Sequence, residues 1–438
     1  PQIESGSSYT VVLKEDGTVW TSGAPEVGQL GNGKITTCSE REGQVKIDAN
    51  TVLSNVVKIS TGFNHTLAIT RDGYVYAWGL NGNGQLGNNS TANQPYAVKV
   101  LAEDGKSYLR DIIDVSAGKA FSTFLDKNGN VYTVGNGKNY RLGNSSEADI
   151  YVVKKINVSN VISISSGLHH TIAIKQDGVL CGWGRNESNY SLGMGTLTDQ
   201  SVPIDLAVKN VDEISAAGYT GLVKTEDGKI YGAGWNEYGQ VNSNGGNISV
   251  WTETTVPNEV STTNKIKYIC ASIRNSSMVL QDGSLWTVGA NNNCQLGDGT
   301  SNNSVTYIKA KNTSNQELDN IIALGRNQQE FNESYFNLSC IDNNGRIYVS
   351  GNNAYAQMGK SAINSNYSFE EFGVLEIKLN YRNEYIKIDN SIDIDVLKAS
   401  KLSAFINEKI NQDDWNWKSS NSDVATISDK GIVTGKTV

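Results

Sequence analysis

The sequence predicts an all-β fold: a closed, seven-bladed β-propeller over residues 1–380, followed by a separate segment at 381–438. Three observations predict it. An Asp-Gly or Asn-Gly pair recurs at Asp16, Asp72, Asn128, Asp177, Asp227, Asp282 and Asn344. A second anchor, usually Leu-Gly, follows at Leu30, Leu86, Leu142, Leu192, Val241, Leu296 and Met358, at an offset of 14 in six repeats and 15 in the fourth. A glycine stands seven residues after each turn Asp or Asn, at Gly23, Gly79, Gly135, Gly184, Gly234, Gly289 and Gly351. The intervals between repeats drift from 49 to 62 while the offsets hold, so the constant core is one structural unit and the drift is loop length.

Each unit reads as a hairpin with a strand on either side. In the second repeat His65–Ile69 runs into Arg71-Asp72-Gly73 and then Tyr74–Gly79: two short β-branched and aromatic strands around a glycine turn. Val56–Ser60 precedes this hairpin and Tyr96–Val100 follows it. Four strands recur seven times. One four-stranded sheet cannot bury both of its faces, whereas a ring of such sheets can, each packing on the next. The glycine seven residues past the turn implies a backbone need, either positive φ or the close approach of a neighbouring strand. Pro1–Gly6 aligns with the middle of the upstream strand, and Glu376–Leu379 has no repeat after it, so these ends are expected to meet and close the ring.

Composition narrows the function classes. Apolar residues are 38% of the chain and Gly contributes 44 of 438, which is ordinary for a folded protein and too rich for a disordered one. Lys and Arg number 37 against 45 Asp and Glu, a net of −8 without a basic run, which excludes the electrostatic footprint of a nucleic-acid binder. No stretch approaches the run of about 18 apolar residues that a membrane-spanning helix needs. The start at Pro1, with no leader after it, is what a processed or excised chain would show. Cys38, Cys181, Cys270, Cys294 and Cys340 are odd in number and lack C-x-x-C spacing, so buried or incidental thiols are expected, not a zinc site or disulfide framework.

These residues resemble the RCC1-type repeat of the regulator of chromosome condensation family, whose pattern runs S-x-G-x-x-H-T-x-A-L and then D-G-x-V-x-x-W-G-x-N-x-x-G-Q-L-G. The second repeat matches at Ser60, Gly62, His65, Thr66, Ala68, Asp72, Gly73, Val75, Trp78, Gly79, Asn81, Gly84, Gln85, Leu86 and Gly87. The fourth matches at Ser165, Gly167, His170, Thr171, Asp177, Gly178, Trp183, Gly184, Asn186, Leu192 and Gly193, while the fifth departs with Gln240-Val241-Asn242. The resemblance covers about 1–380. Beyond Tyr381 the periodicity stops, and Trp417–Ser428 with Gly431–Gly435 is similar to a bacterial immunoglobulin-like domain of group 2, cut before its last strand. That resemblance implies a C-terminal partial immunoglobulin-like β segment and an extracellular or bacterial cell-surface setting.

No catalytic, cofactor-binding or metal-ligating residue is assigned. His65 and His170 share a repeat position that holds Tyr9, Phe121, Thr220, Asn275 and Asn337 elsewhere, which reads as a strand-end packing or hydrogen-bonding position; a nucleophilic relay then lacks its base. Gly82–Gly87 fits G-x-G-x-x-G but follows a hairpin, not a βαβ strand. Asp126–Asn130 starts like a calcium loop, yet Gly137 stands where the closing Glu belongs. Trp20, Trp286, Tyr76, Tyr132, Tyr231, Tyr348, Trp78 and Trp183 recur at fixed offsets and read as blade core.

Departures from the repeat carry the candidate binding surface. The loop before the Leu-Gly anchor holds Tyr140, Tyr190, Trp235, Tyr238 and Tyr355, which the family geometry gathers on one face near the axis. The seventh repeat carries an insertion with Phe331, Tyr335 and Phe336, and a second excursion, about 243–265, carries Trp251. The expected function is a non-enzymatic binding module, monomeric and without a cofactor, that engages another protein or a surface glycan and inserts in no membrane. Two sharper alternatives come from resemblance: a secreted inhibitor like the propeller-type β-lactamase inhibitor, and guanine-nucleotide exchange on a small GTPase with the Phe331–Phe336 loop as wedge.

Overall fold

The computed structural model describes residues 1–36, 40–243, 245–328, 337–359, 363–371, 425–427 and 433–435. The chain divides into two units, Pro1–Gly373 and Val374–Val438. The first contains seven four-stranded antiparallel sheets, each made of four strands consecutive in sequence. The innermost strands are Gln2–Ser5, Val56–Thr61, Ile112–Ala117, Val161–Ser166, Val211–Ala217, Ile266–Ala271 and Ile321–Gly325. Each packs on the next, and the last packs on the first, so the ring closes.

Burial explains why the sheets stack. In the second blade the strand His65–Thr70 is buried along its whole length. Its alternation sends Leu67 and Ile69 into the junction with the third blade, where Ile112, Val115, Phe124 and Val134 meet them. Ala68 points the other way, into the junction with the first blade, beside Tyr9, Val11 and Trp78. The period of two that leaves one face of an ordinary antiparallel sheet wet here buries both. Each remaining junction holds its own buried cluster. The outermost strands are mostly half-buried, as Gln94–Lys99 is, with Val202 and Asp205 exposed in Gln200–Asp205.

The glycine that recurs seven residues past each turn meets both of the backbone needs read from the sequence. Its φ is positive in every blade, from 96° at Gly184 to 124° at Gly23. A Cβ on Gly79 would sit 2.4 Å from the Asn64 carbonyl oxygen of the adjacent strand.

Ring closure is made at the seventh blade. The fourth position of the seventh sheet is filled by Ile363–Glu371, which pairs Tyr348 with Glu371 and Asn353 with Ile363. The chain start closes the ring against the innermost strand of the seventh blade; Glu376–Leu379, its expected partner, lies outside the described residues. Ser5 N–H donates to the Arg326 carbonyl and Gln328 N–H to the Ser5 carbonyl, both at 3.0 Å. Ile3 and Val12 pack there on Ile341, Val349 and Met358.

In the second unit, Ala425–Ile427 and Val433–Gly435 form an antiparallel pair with Thr426 opposite Thr434. The rest of the segment read as immunoglobulin-like lies outside the described residues. Cys181, Cys270, Cys294 and Cys340 are buried and in no disulfide among the described residues, and burial pushes the Cys181 and Cys270 thiols up to about 12. Cys38 lies outside the described residues.

Candidate binding face

Strands of alternating direction give the ring two ends. The Asp-Gly turns form one. The other, the loop face, gathers the connections between first and second strands and those that leave each third strand. The repeat signature holds this face together. The serine of S-x-G accepts a hydrogen bond from the innermost strand of the next blade: Ser60 Oγ from Ala117 N–H (3.1 Å), Ser116 from Ser166 N–H (2.8 Å), Ser165 from Ala216 N–H and Ser215 from Ala271 N–H (both 2.9 Å). In the first blade Glu4 takes this place, its Oε2 2.7 Å from Thr61 N–H. The asparagine after the recurring glycine pins its loop, as Asn81 Oδ1 accepts Leu86 N–H at 3.0 Å while its Nδ2 donates to the Ser90 and Ala92 carbonyls.

The histidine position is a strand-end hydrogen-bonding site, as its variability implies. Tyr9, at the same place in the first blade, donates from its hydroxyl to the His65 carbonyl at 2.8 Å. His65 Nε2 lies 3.0 Å from Ser122 Oγ of the third blade. Ser122 Oγ donates to the Gln85 carbonyl at 2.7 Å, so His65 Nε2 carries the proton and donates. Burial holds His65 down to about 3 and His170 to about 4. Asp126 accepts from Asn128 N–H and Asn130 N–H, which makes it a hairpin-turn cap. Of the recurring Trp and Tyr residues, Trp78 and Trp183 are fully buried, whereas Trp20, Tyr76, Tyr132, Tyr231 and Tyr348 are only half-buried.

The structure redistributes the predicted binding aromatics. Trp251 belongs to the fourth strand of the fifth blade, Ile248–Glu253, and not to an irregular excursion. The fifth blade has Ala233 where Trp78 and Trp183 stand in theirs. The Trp251 ring fills that vacancy from the outer strand, against Gly193 and Gly221, and its Nε1 donates to the Leu192 carbonyl at 3.0 Å. Phe369 fills the same gap over Gly297 in the seventh blade. Trp251→Ala is expected to lower stability by about 2–3 kcal/mol, as for a partly buried aromatic. Chemical denaturation checks this, and a loss within about 0.5 kcal/mol would restore it as a surface residue.

Tyr140 and Tyr190 do not gather near the axis. They occupy a backbone position of positive φ that recurs in every blade: 55° and 56° here, with Gly28, Gly84, Gly239, Cys294 and Ala356 at the equivalent sites. Gly84 abuts Tyr151 Cα and Gly28 abuts Pro95 Cα, both on the outermost strand of the next blade, so this position lies at the rim. Tyr355 is half-buried beside Ala356 in the seventh blade. Phe331, Tyr335 and Phe336 lie outside the described residues.

Trp235 and Tyr238 do meet. Their rings stand edge to face at 5.7 Å, and Trp235 packs with Leu168, Tyr219 and Ile273 from the inner loops of the fourth, fifth and sixth blades. Trp235 is only 7% exposed, so it underlies the face and Tyr238 half covers it. Arg274 lies 5.2 Å from the Tyr238 ring and Arg185 lies 5.7 Å from that of Tyr219. Sequence reasoning missed Tyr219, His169, Arg141, Arg185 and Arg274. Only Arg185 and Tyr219 directly follow a repeat glycine, Gly184 and Gly218, and nothing periodic marks the other three.

Arg326 was missed too. Its guanidinium crosses the axis at the loop-face end of the channel. One terminal nitrogen donates to Ser116 Oγ (3.1 Å) and the carbonyls of Ser166 (3.0 Å) and Ala216 (3.4 Å), and the other to Ser60 Oγ (2.8 Å). Glu4 Oε2 is 3.6 Å away. Gln328 adds a second bond to the Ser166 carbonyl.

Comparison with known proteins follows this geometry. The family model of the RCC1-like domain matches residues 1–329. The chain belongs to the RCC1-like domain family. Among relatives of this RCC1-like chain, the mouse E3 ubiquitin-protein ligase HERC2 is 30% identical over 192 residues, 42% of this chain and 4% of the ligase. The Arabidopsis thaliana ultraviolet-B receptor UVR8 is 30% identical over 188 residues, 42% of this chain and 40% of the receptor. The matched stretch thus spans less than half of either relative. Among solved structures, human WBSCR16 superposes with a TM-score of 0.67 at 17% identity, covering 81% of this chain and 94% of that one. Prp20p from Saccharomyces cerevisiae superposes at 0.63 and 23% identity, covering 75% and 80%. Both show the same seven-bladed fold.

Proposed function

We propose that the propeller is a non-enzymatic protein-binding scaffold that works through its loop face. The observation that carries this reading is the division of labour between positions. The recurring Ser, His, Asn and Gly residues are spent on joining blades, while the cluster of Tyr219, Trp235, Tyr238, Arg185 and Arg274 lies outside that framework. Aromatic and Arg residues are the usual anchors of protein interfaces. A propeller of this fold, yeast Prp20, has been solved bound to Kap60, so the scaffold is compatible with such a use. The three histidines, buried at strand ends or beneath this cluster, support a role in binding and not in proton transfer. The tail at 417–435, similar to a bacterial immunoglobulin-like domain, supports a secreted or surface-displayed setting. The exchange-factor alternative needs the Phe331–Phe336 loop, which is outside the described residues.

A photo-cross-linking residue at Glu237 or Asn292, both exposed on the loop face, is expected to capture a protein from cultures of the source organism. The same residue at Arg71 or Lys127, exposed at the hairpin turns, is expected to capture none. Equal capture at both ends, or capture only at the turns, dismisses the loop face.

A further inference from the structure

The loop face carries a pair of guanidinium groups that make no ion pair among the described residues. Arg141 precedes the Leu anchor of the third blade, and Arg185 follows the invariant glycine of the fourth. The fold forces them together, because a Cβ on Gly184 would lie only 3.2 Å from Arg141 Cα. Arg185 N–H also donates to the His169 carbonyl at 2.9 Å, which brings the imidazole to the same corner.

Like charges at close quarters normally separate or acquire a counter-ion. Here the pair stays together, with the Asp149 carboxylate acting on Arg141 from beyond ion-pair distance. Arg141 is 4% exposed and bonds only to neutral acceptors, with Nε donating to the Lys138 carbonyl at 2.7 Å and one terminal nitrogen to Asn139 Oδ1 at 3.5 Å. Arg185 Nε is buried without a hydrogen-bond partner, and its guanidinium makes no hydrogen bond among the described residues. His169, 8% exposed, leaves Nδ1 unpartnered beside it. Neither arginine has a carboxylate within ion-pair distance among the described residues, in a chain whose net charge is −8. Burial and the neighbouring Arg185 hold the Arg141 guanidinium down to about 10. Tyr219, 5.5 Å from His169 and 5.7 Å from Arg185, walls the corner on the side that leads to Trp235 and Tyr238.

We propose that Arg141 and Arg185 form a carboxylate-binding subsite, which takes an Asp or Glu side chain of a partner protein while an adjoining apolar residue packs toward Tyr219 and Tyr238. The inference rests on the protein-binding reading of this face and names the chemistry of the partner. Planar forks of N–H donors match a carboxylate bidentately, and a desolvated pair gains most from an anion that neutralises it. A carboxylate is favoured over a polyanion because the chain as a whole carries a net charge of −8, which a short acidic segment tolerates and an extended phosphate backbone does not.

Three fluorescein-labelled short peptides test this against the full chain by anisotropy: one of alternating Glu and Phe, its Gln-for-Glu counterpart and its phosphoserine-for-Glu counterpart. The Glu peptide is expected to bind about tenfold more tightly than the Gln peptide, as a charge-assisted pair allows. Arg185→Gln should remove that difference, and Arg185→Lys, which keeps the charge but loses the fork, should restore only part of it. An unchanged thermal transition in both variants shows that the loop still folds. Equal binding of Glu and Gln peptides, no effect of Arg185→Gln, tighter binding of the phosphoserine peptide, or binding of none overturns the proposal. If cross-linking still maps to the loop face in those cases, the broader reading survives and only the carboxylate subsite falls.

Discussion

Arg326→Ala is expected to destabilise the propeller by about 3–5 kcal/mol, the usual cost of removing one partner from a buried charged pair. The residue belongs to the seventh blade, but its side chain bonds to the second, third, fourth and fifth blades and faces Glu4 of the first. Deleting it takes one donor each from the Ser60 and Ser116 hydroxyls and the Ser166 and Ala216 carbonyls, and leaves the Glu4 carboxylate buried near no cation but Lys58. Burial raises the Glu4 pKa, and the Arg326 charge is the foremost influence opposing that rise. Arg326→Lys should recover less than half of the loss, because a point charge on a flexible stem cannot span the acceptors that the planar fork meets. The paired change Glu4→Gln with Arg326→Met should recover more than Arg326→Ala alone, since it removes both charges together. Urea denaturation of the four proteins decides it. A loss under about 1 kcal/mol for Arg326→Ala would mean that the axis is held by the blade junctions alone.

Stability is expected to fall steeply with acid. His65, His169 and His170 are held near 3, 2 and 4, chiefly by burial and, for His169, also by the charges of Arg141, Lys119 and Arg185. The sign follows from the neutral form being the folded one. Above the unfolded value of about 6.5 neither state holds the protons and there is no cost. Below it the unfolded chain takes up three protons that the folded chain refuses, so stability falls by about 1.4 kcal/mol per pH unit for each histidine until the folded values are reached. Between pH 7 and pH 5 the sum is about 6 kcal/mol. The raised Glu4 works the other way, since its stability contribution is present at low pH and is lost as pH rises through its folded value. That gain runs from the folded value of Glu4 down to the ordinary carboxylate range, so it offsets part of the histidine loss within that window. His65→Asn with His170→Asn, which installs the residue found at Asn275 and Asn337, should remove about two thirds of the slope. An unchanged slope in that variant would show that these imidazoles are protonated or solvent-reached in the folded protein.

Legibility differed by kind of residue. The seven-fold repeat, the hairpins and the invariant glycines were readable because each is a local demand made seven times, and the structure meets each with the same φ and the same close approach. The variable histidine position was readable for the same reason: a catalytic group cannot be Tyr9 in the first blade and Phe121 in the third. Trp251 was misread because its irregularity in sequence is a compensation in space. Ala233 leaves a gap that only a residue of the neighbouring strand can fill, and sequence order does not reveal which side chain turns inward there. Tyr140 and Tyr190 were placed on the right loops but at the wrong radius. The loop runs from near the axis out to the rim, and which end a residue occupies depends on the backbone turn at positive φ.

The sequence by itself determined the number of blades, the strand order within each and the residues that join them, because those are short-range and periodic. Only the tertiary structure decided how the ring closes, that Arg326 spans the axis, and that Arg141, Arg185, His169 and Tyr219 share one corner. These last contacts join residues from up to six different blades. Closing a ring brings such residues together by geometry, and no periodic signal along the chain records it.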